Sequence, residues 1–211
     1  QFLLLFITFA SLVMTSVGVT YWGLQTQQED ALVINLAGRQ RMLIQQMTRL
    51  AFQWQDGDEV TLVALEESEQ IFSQTLYALQ NGGSAPYLTN SVVNLPVTRD
   101  SQILSALNEV ESAWTQFHVT LDAIPYSATN SNSLHITLEQ QSDDLVQKAD
   151  AVVRLYETTA TAKVNRLRAI QTMFLVFAIV LLAVGAWMTR RSLLKPLQDL
   201  GLAAKRLGEN Q

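Results

Sequence analysis

The run Asn35-Leu36-Ala37-Gly38-Arg39-Gln40-Arg41-Met42 holds the residues whose types and spacing could do chemistry. Arg41 follows Gly38 by about one helical turn, with almost no acid nearby in sequence to neutralise it. A guanidinium is a planar fork of donors suited to a small oxyanion. A glycine beside it lets a second backbone come close. Together they predict an anion site between helices, built on Gly38 and Arg41, with Asn35, Ala37, Met42 and Gln45 as supporting candidates.

At about 100° per residue, Ile34, Ala37, Gly38, Arg41, Gln45 and Thr48 share one helix face. Leu36, Gln40, Leu43, Met47, Leu50 and Trp54 take the opposite face, which is mostly bulky and apolar and should meet a core. The smaller, more polar face suits a close partner helix. Closed two-fold dimers are the commonest assembly, and in one the two Arg41 side chains would converge. Two such charges about 6 Å apart at an effective dielectric near 20 repel by roughly 3 kcal/mol, which a bound oxyanion would relieve. The plainer alternative is that Arg39, Arg41 and Arg49 are solvated charges on an exposed face and Gly38 a tolerated helix glycine.

The elements that must position these residues are helical. No long run of alternating β-branched residues appears in the 211-residue chain, and turn signals are few. Breaks fall at Gln55-Asp56-Gly57-Asp58, in a loop from Asn81-Gly82-Gly83 to about Asp100, and at Pro125 with the Ser/Asn-rich run 127–133. Helices are therefore expected at about 25–55, 58–81, 99–124 and 134–168. Apolar residues at steps of three and four, Leu62, Leu65, Ile71/Phe72, Leu76 and Leu79 in one and Ile103, Leu107, Val110, Trp114, Phe117 and Leu121 in the other, give the second and third of these one core stripe each.

Two runs are apolar on all sides. Residues 1–28 and 169–189 carry no charge, and a membrane span needs roughly 20 apolar residues. The first is longer than the h-region of a signal peptide, about 7–15 residues. The expected organisation is a transmembrane helix at 1–24, an extracytoplasmic four-helix bundle at 25–168, a second transmembrane helix at 169–189, and the start of a relay helix at 190–211. Arg190, Arg191 and Lys195 favour a cytoplasmic C-terminus, although Lys163, Arg166 and Arg168 on the other flank disagree. The chain starts without Met and is expected to lack a short N-terminal tail and a C-terminal output module.

Leu193, Leu197, Leu200, Ala204 and Leu207 step by four and three, as in a coiled-coil seam. After a basic-flanked span, with Pro196 in the first turn, this resembles the first helix of a HAMP domain. Asn35-x-Ala37-Gly38-x-x-Arg41-Met42 resembles the signature box of the NarX and NarQ nitrate/nitrite sensor kinases. The variant Gly38-Arg39-Gln40-Arg41-Met42-Leu43 is more similar to the PilJ type of type IV pili chemotaxis transducers, as are Phe72-x-x-x-Leu76 through Gly82-Gly83, and Trp114 with Phe117. Where the nitrate sensors carry Leu before the Arg and Gln-Ser-Tyr after the Met, this chain has Gln40 and Leu43-Ile44-Gln45.

The resemblance implies an all-α receptor: an antiparallel four-helix-bundle sensor domain between two transmembrane helices, followed by a HAMP-type helix. It implies nitrate or nitrite held by Gly38 and Arg41 at the interface of a homodimer in the inner, cytoplasmic membrane. The output module would be a histidine kinase signalling to a response regulator, or a methyl-accepting module signalling to chemotaxis proteins and sensing another ligand or partner. A purely structural membrane bundle is a third reading, which the HAMP-like seam opposes.

Other chemistry finds little support. The net charge of −5 comes without a basic stripe, so no nucleic-acid partner is expected. There is no Cys, and stability must come from packing. His118 and His135 show no helical spacing to an acid, so no metal site is expected, and Asp143, Asp144 and Asp150 read as a solvated helix face. No nucleophile arrangement, phosphate loop or catalytic acid pair is evident, and neither a cofactor nor a catalytic residue is expected.

Overall fold

The computed structural model describes residues 2–54, 58–87, 91–124 and 132–191. The predicted turn at Gly57, the break at Pro125 and the HAMP-like helix lie wholly or mostly outside them. Four helices are present: α1 (Phe2–Gln53), α2 (Glu59–Asn81), α3 (Ser101–Ala123) and α4 (Asn132–Thr189). The chain divides into two compact units, one made of Thr26–Ala162 and the other of Gln1–Gln25 with Lys163–Gln211.

The Thr26–Ala162 unit is an antiparallel bundle. Arg41 pairs with Asp150, Thr48 with Ser142 and Phe52 with His135, so α1 ascends as α4 descends. Between α2 and α3, Phe72 stacks on Trp114 and Gln80 donates to Glu111, again in opposite directions. All four helices feed one core, in which Phe72, Phe117, Ile44, Met47, Leu138 and Leu145 are fully buried.

Local chemistry fixes the helix ends. The Asp58 carboxylate accepts from Thr61 N at the start of α2, and Asp100 accepts from Gln102 N and Ile103 N at the start of α3. The α2 C-terminus is closed by Gly82 at φ +74°. A Cβ there would also lie 2.9 Å from the Val97 backbone nitrogen, so the turn excludes any larger residue.

The expected loop from Asn81 to Asp100 contains a small hairpin. Strands β1 (Gly83–Pro86) and β2 (Val92–Leu95) pair antiparallel, with Gly83 opposite Leu95 and Pro86 opposite Val92. Gly-Ser-Ala-Pro has little strand propensity. The pairing is held instead by the α2 turn and by burial of Ala85 and Leu95 in the core. Thr98, just beyond, donates to Leu79 O and shares a 2.9 Å hydrogen bond with Tyr156 of α4.

Among the described residues two helices, α1 and α4, are long and apolar enough to cross a membrane, and the other unit holds the N-terminal part of α1 and the C-terminal part of α4. Their large apolar side chains, among them Met14, Trp22, Met173 and Trp187, are exposed. Within this unit Gln171 Nε2 donates to Thr20 Oγ1 at 3.1 Å, and Gly23 is buried where Leu167 packs into the space a Cβ would fill.

The core face predicted for α1 holds: Leu36, Gln40, Leu43 and Met47 are buried, with Leu50 and Trp54 packed against the core. Ala37 departs from prediction. It is 2% exposed and belongs to the core, because α1 is covered by more than one helix and its buried stripe widens to include Ala37, Ile44 and Ala51. Gln40 is the anomaly in this stripe: its Nε2 and Oε1 are both buried without a hydrogen-bond partner. A buried unpaired amide costs roughly 1–3 kcal/mol, and an apolar replacement of similar shape relieves it. Gln40→Leu is expected to raise the thermal midpoint of the solubilised chain, by about 2–4 °C per kcal/mol gained for a protein of this size; a lower midpoint would show that the amide has a partner.

Candidate anion site

Arg41 sits on the rim of the α1–α4 seam, beside the buried stripe and next in sequence to Gln40. The premise that it has no acidic partner is overturned, because Asp150 of α4 pairs with it through Nη1 and Oδ1. Asp150 is accordingly not part of a merely solvated face; Asp143 and Asp144 are exposed. The two carboxylate oxygens divide their work. Oδ1 faces Arg41, while Oδ2 accepts from Arg154 Nε at 2.9 Å and lies 2.7 Å from Arg154 Nη2. These hydrogen bonds, Arg154's above all, hold the Asp150 carboxyl below the usual carboxylate range, against a smaller opposing effect of burial.

Asn35, Gly38, Arg39, Arg41 and Met42 line a single cavity of about 640 Å³ with Tyr87, Val153 and Glu157. Tyr87, directly after β1, closes one side: its carbonyl accepts from Arg39 Nη1 and its hydroxyl from Asn35 Nδ2 at 3.3 Å. The Arg41 side chain is 42% exposed and remains reachable from solvent. Its Nη2 lies 3.7 Å from where a Gly38 Cβ would be, an ordinary contact distance. Of the other candidates, Ala37 is in the core and Gln45 is exposed outside the cavity lining.

Sequence reasoning missed Tyr87, Asp150 and Arg154. Tyr87 is brought in by the unforeseen hairpin. The Asp150/Arg154 pair carried a signal in its i,i+4 spacing, but nothing in the sequence set it opposite Arg41.

A second cluster corrects the reading of His118. Asp122 lies one turn along the same helix, 3.2 Å from Nδ1, and Glu69 of α2 lies 3.3 Å from Nε2. Burial raises the Glu69 carboxyl above its usual range, with the attraction of His118 opposing. Ligand atoms of the three residues lie within 4.8 Å of one another. The imidazole, however, offers opposite edges to the two carboxylates, so it would have to turn for one nitrogen and both acids to meet a common ion. As it stands the cluster ties α2 to α3.

Comparison with protein families matches residues 22–151 to the type IV pili methyl-accepting chemotaxis transducer N-terminal family, PilJ, and the chain belongs to that family. The family is one of receptor sensor regions rather than enzymes. No curated protein matches the chain. Among solved structures, it is similar to the ligand-binding domain of the P. aeruginosa nitrate receptor McpN, at 23% identity and a TM-score of 0.45, over 61% of this chain and 95% of that one.

The depressed Asp150 value gives the site a defined acid response. Its stabilising contribution is complete above the unfolded aspartate value, about 3.9, and is lost as pH falls through the lower folded value. Melting curves of the wild type and Asp150→Asn should therefore converge as the pH drops below about 4. A constant gap down to pH 2 would mean that the difference between the two does not come from the ionised Asp150 carboxylate.

Proposed function

We propose that this member of the chemotaxis-transducer family is the sensing half of a membrane-spanning receptor, and that it takes a small oxyanion, nitrate or nitrite, at Arg41. The observation that carries this reading is the open cavity in which a half-exposed guanidinium, the Asn35 amide and the bare backbone of Gly38 come together. The likeness of the Asn35–Met42 box to that of nitrate sensors supports nitrate or nitrite as the ligand.

In this reading residues 1–24 and 169–189 cross the inner membrane, residues 25–168 lie outside it, and the segment from 190 onward begins a HAMP relay. The two site helices, α1 and α4, are also the two whose sequences run into the apolar segments, so a change in their mutual packing is the natural signal. The family membership supports a methyl-accepting output acting on chemotaxis proteins. A histidine-kinase output acting on a response regulator is the second reading, and rests on the nitrate-sensor form of the box. A homodimer with a second copy against the cavity would bring a second Arg41 to the anion.

Titration of the solubilised chain with sodium nitrate at constant ionic strength, chloride replacing nitrate in the control, tests the reading. Binding should release or absorb heat and raise stability by roughly 1.4 kcal/mol at ten times the dissociation constant. Arg41→Ala should abolish both effects. Gly38→Ala should fold, with a gain of up to about 1 kcal/mol in helix propensity, yet bind nitrate more weakly because the added methyl, in ordinary contact with Arg41 Nη2, takes cavity space that an anion beside it would need. No heat and no stabilisation at millimolar nitrate would refute the anion reading.

A further inference from the structure

We infer that Asp150 is a built-in competitor for the anion site: a ligand gains Arg41 by displacing this carboxylate, and the displacement unties α1 from α4. The inference rests on the anion reading of Arg41 above and adds how the site is regulated.

Three observations carry it. Arg41 is already occupied by a carboxylate of its own chain, presented through Oδ1. A carboxylate and a small oxyanion offer similar oxygens to a guanidinium, so the two compete for Nη1 and for the same positive charge. Second, Asp150 is not stranded when it lets go, because Oδ2 keeps both contacts with Arg154 on its own helix. A displaced carboxylate without that second partner would have to be left uncompensated or protonated. Third, the pair is accessible, with Arg41 42% and Asp150 27% exposed, and a cavity opens beside Arg41. Partly exposed ion pairs are weak and exchangeable.

The consequence is mechanical. Moving away from Asp150, the α1–α4 seam continues through the 2.8 Å Thr48–Ser142 hydrogen bond and the Phe52–His135 stack. Neither of those contacts is an ion pair. Loss of the Arg41–Asp150 tie therefore frees the seam locally while the far end stays fastened.

The test compares Asp150→Asn with Glu157→Gln in the full chain. Both remove one negative charge from the neighbourhood of the cavity, but only Asp150 touches Arg41. Calorimetric titration with sodium nitrate should show Asp150→Asn binding about tenfold more tightly than wild type, equivalent to ~1.4 kcal/mol, and Glu157→Gln changing far less. A second readout is geometric. The chain has no cysteine of its own, so spin labels at Gln45→Cys on α1 and Gln147→Cys on α4 report the seam. Nitrate should shift that distance in the wild type, and Asp150→Asn should show the shifted distance without nitrate. Asp150→Ala serves if the asparagine amide itself pairs with Arg41.

Equal tightening by the two substitutions would reduce the effect to general charge and overturn the competitor role. So would a wild type that binds nitrate with the label distance unchanged; the Arg41 site itself would then survive. If neither the wild type nor Asp150→Asn binds nitrate, both readings fall.

Discussion

Helix α1 must bury a stripe that is two residues wide at several of its turns, Leu36 with Ala37 and Leu43 with Ile44. A single neighbouring helix covers a narrower seam than that. The stripe is satisfied only inside a bundle, with α4 running antiparallel along one side and the α2–α3 pair completing the core. That constraint decides where the polar residues of the box can go. Gln40 is carried into the core, Arg41 one residue on is carried to the rim, and Gly38 is left half-buried in the cavity lining. The cavity beside Arg41 is thus a by-product of how α1 is clamped, with the hairpin's Tyr87 supplying its far wall.

Much of this was legible in residue order. Apolar spacing identified the four helices and the core stripes of α2 and α3, and the helical angle separated the buried Leu36–Met47 face from the face of Arg41. What was not legible depended on partners distant in sequence. Asp150 looked like one acid in an exposed run with Asp143 and Asp144, and only the antiparallel register of α4 against α1 brings it to Arg41. Ala37 was assigned by angle to the open face because the angle does not say how many helices surround α1. The hairpin escaped because β1, Gly-Ser-Ala-Pro, has little strand propensity and β2 offers only Val92 and Val93, so the pair draws its order from the Gly82 turn and from burying Ala85 and Leu95. His118 was missed for a different reason: its i,i+4 acid, Asp122, was visible in the sequence, and Glu69 joined it only through packing.

The two ties between helix pairs differ in kind. The His118 cluster joins α2 to α3 through a carboxyl that is largely buried, Glu69 being 14% exposed. Exchange with a dissolved anion is disfavoured there, since acids already face both edges of the ring. The Arg41–Asp150 tie joins α1 to α4 at the surface, where the cation is the reachable partner. Under the proposed exchange the α1–α4 seam is the one that would yield first, and these are the helices that continue into the apolar segments.

Signalling also requires that a second arrangement lie close in energy to the first. Exchange at one surface arginine falls short of the roughly 5.5 kcal/mol needed to turn a 1:99 equilibrium into 99:1, so the resting arrangement must already be poised. Gln40 is suited to that. Its buried amide has no partner, which raises the energy of this packing of α1 by an amount of the order of 1–3 kcal/mol. Any rotation or slide of α1 that lets the amide reach water or a polar neighbour recovers part of that penalty. The adjacent residues Gln40 and Arg41 would then act in one direction: the first weakens the resting seam from inside the core, and the second releases it from the rim when an anion arrives. A leucine at position 40 would remove the inner contribution, leaving the anion to shift the equilibrium alone.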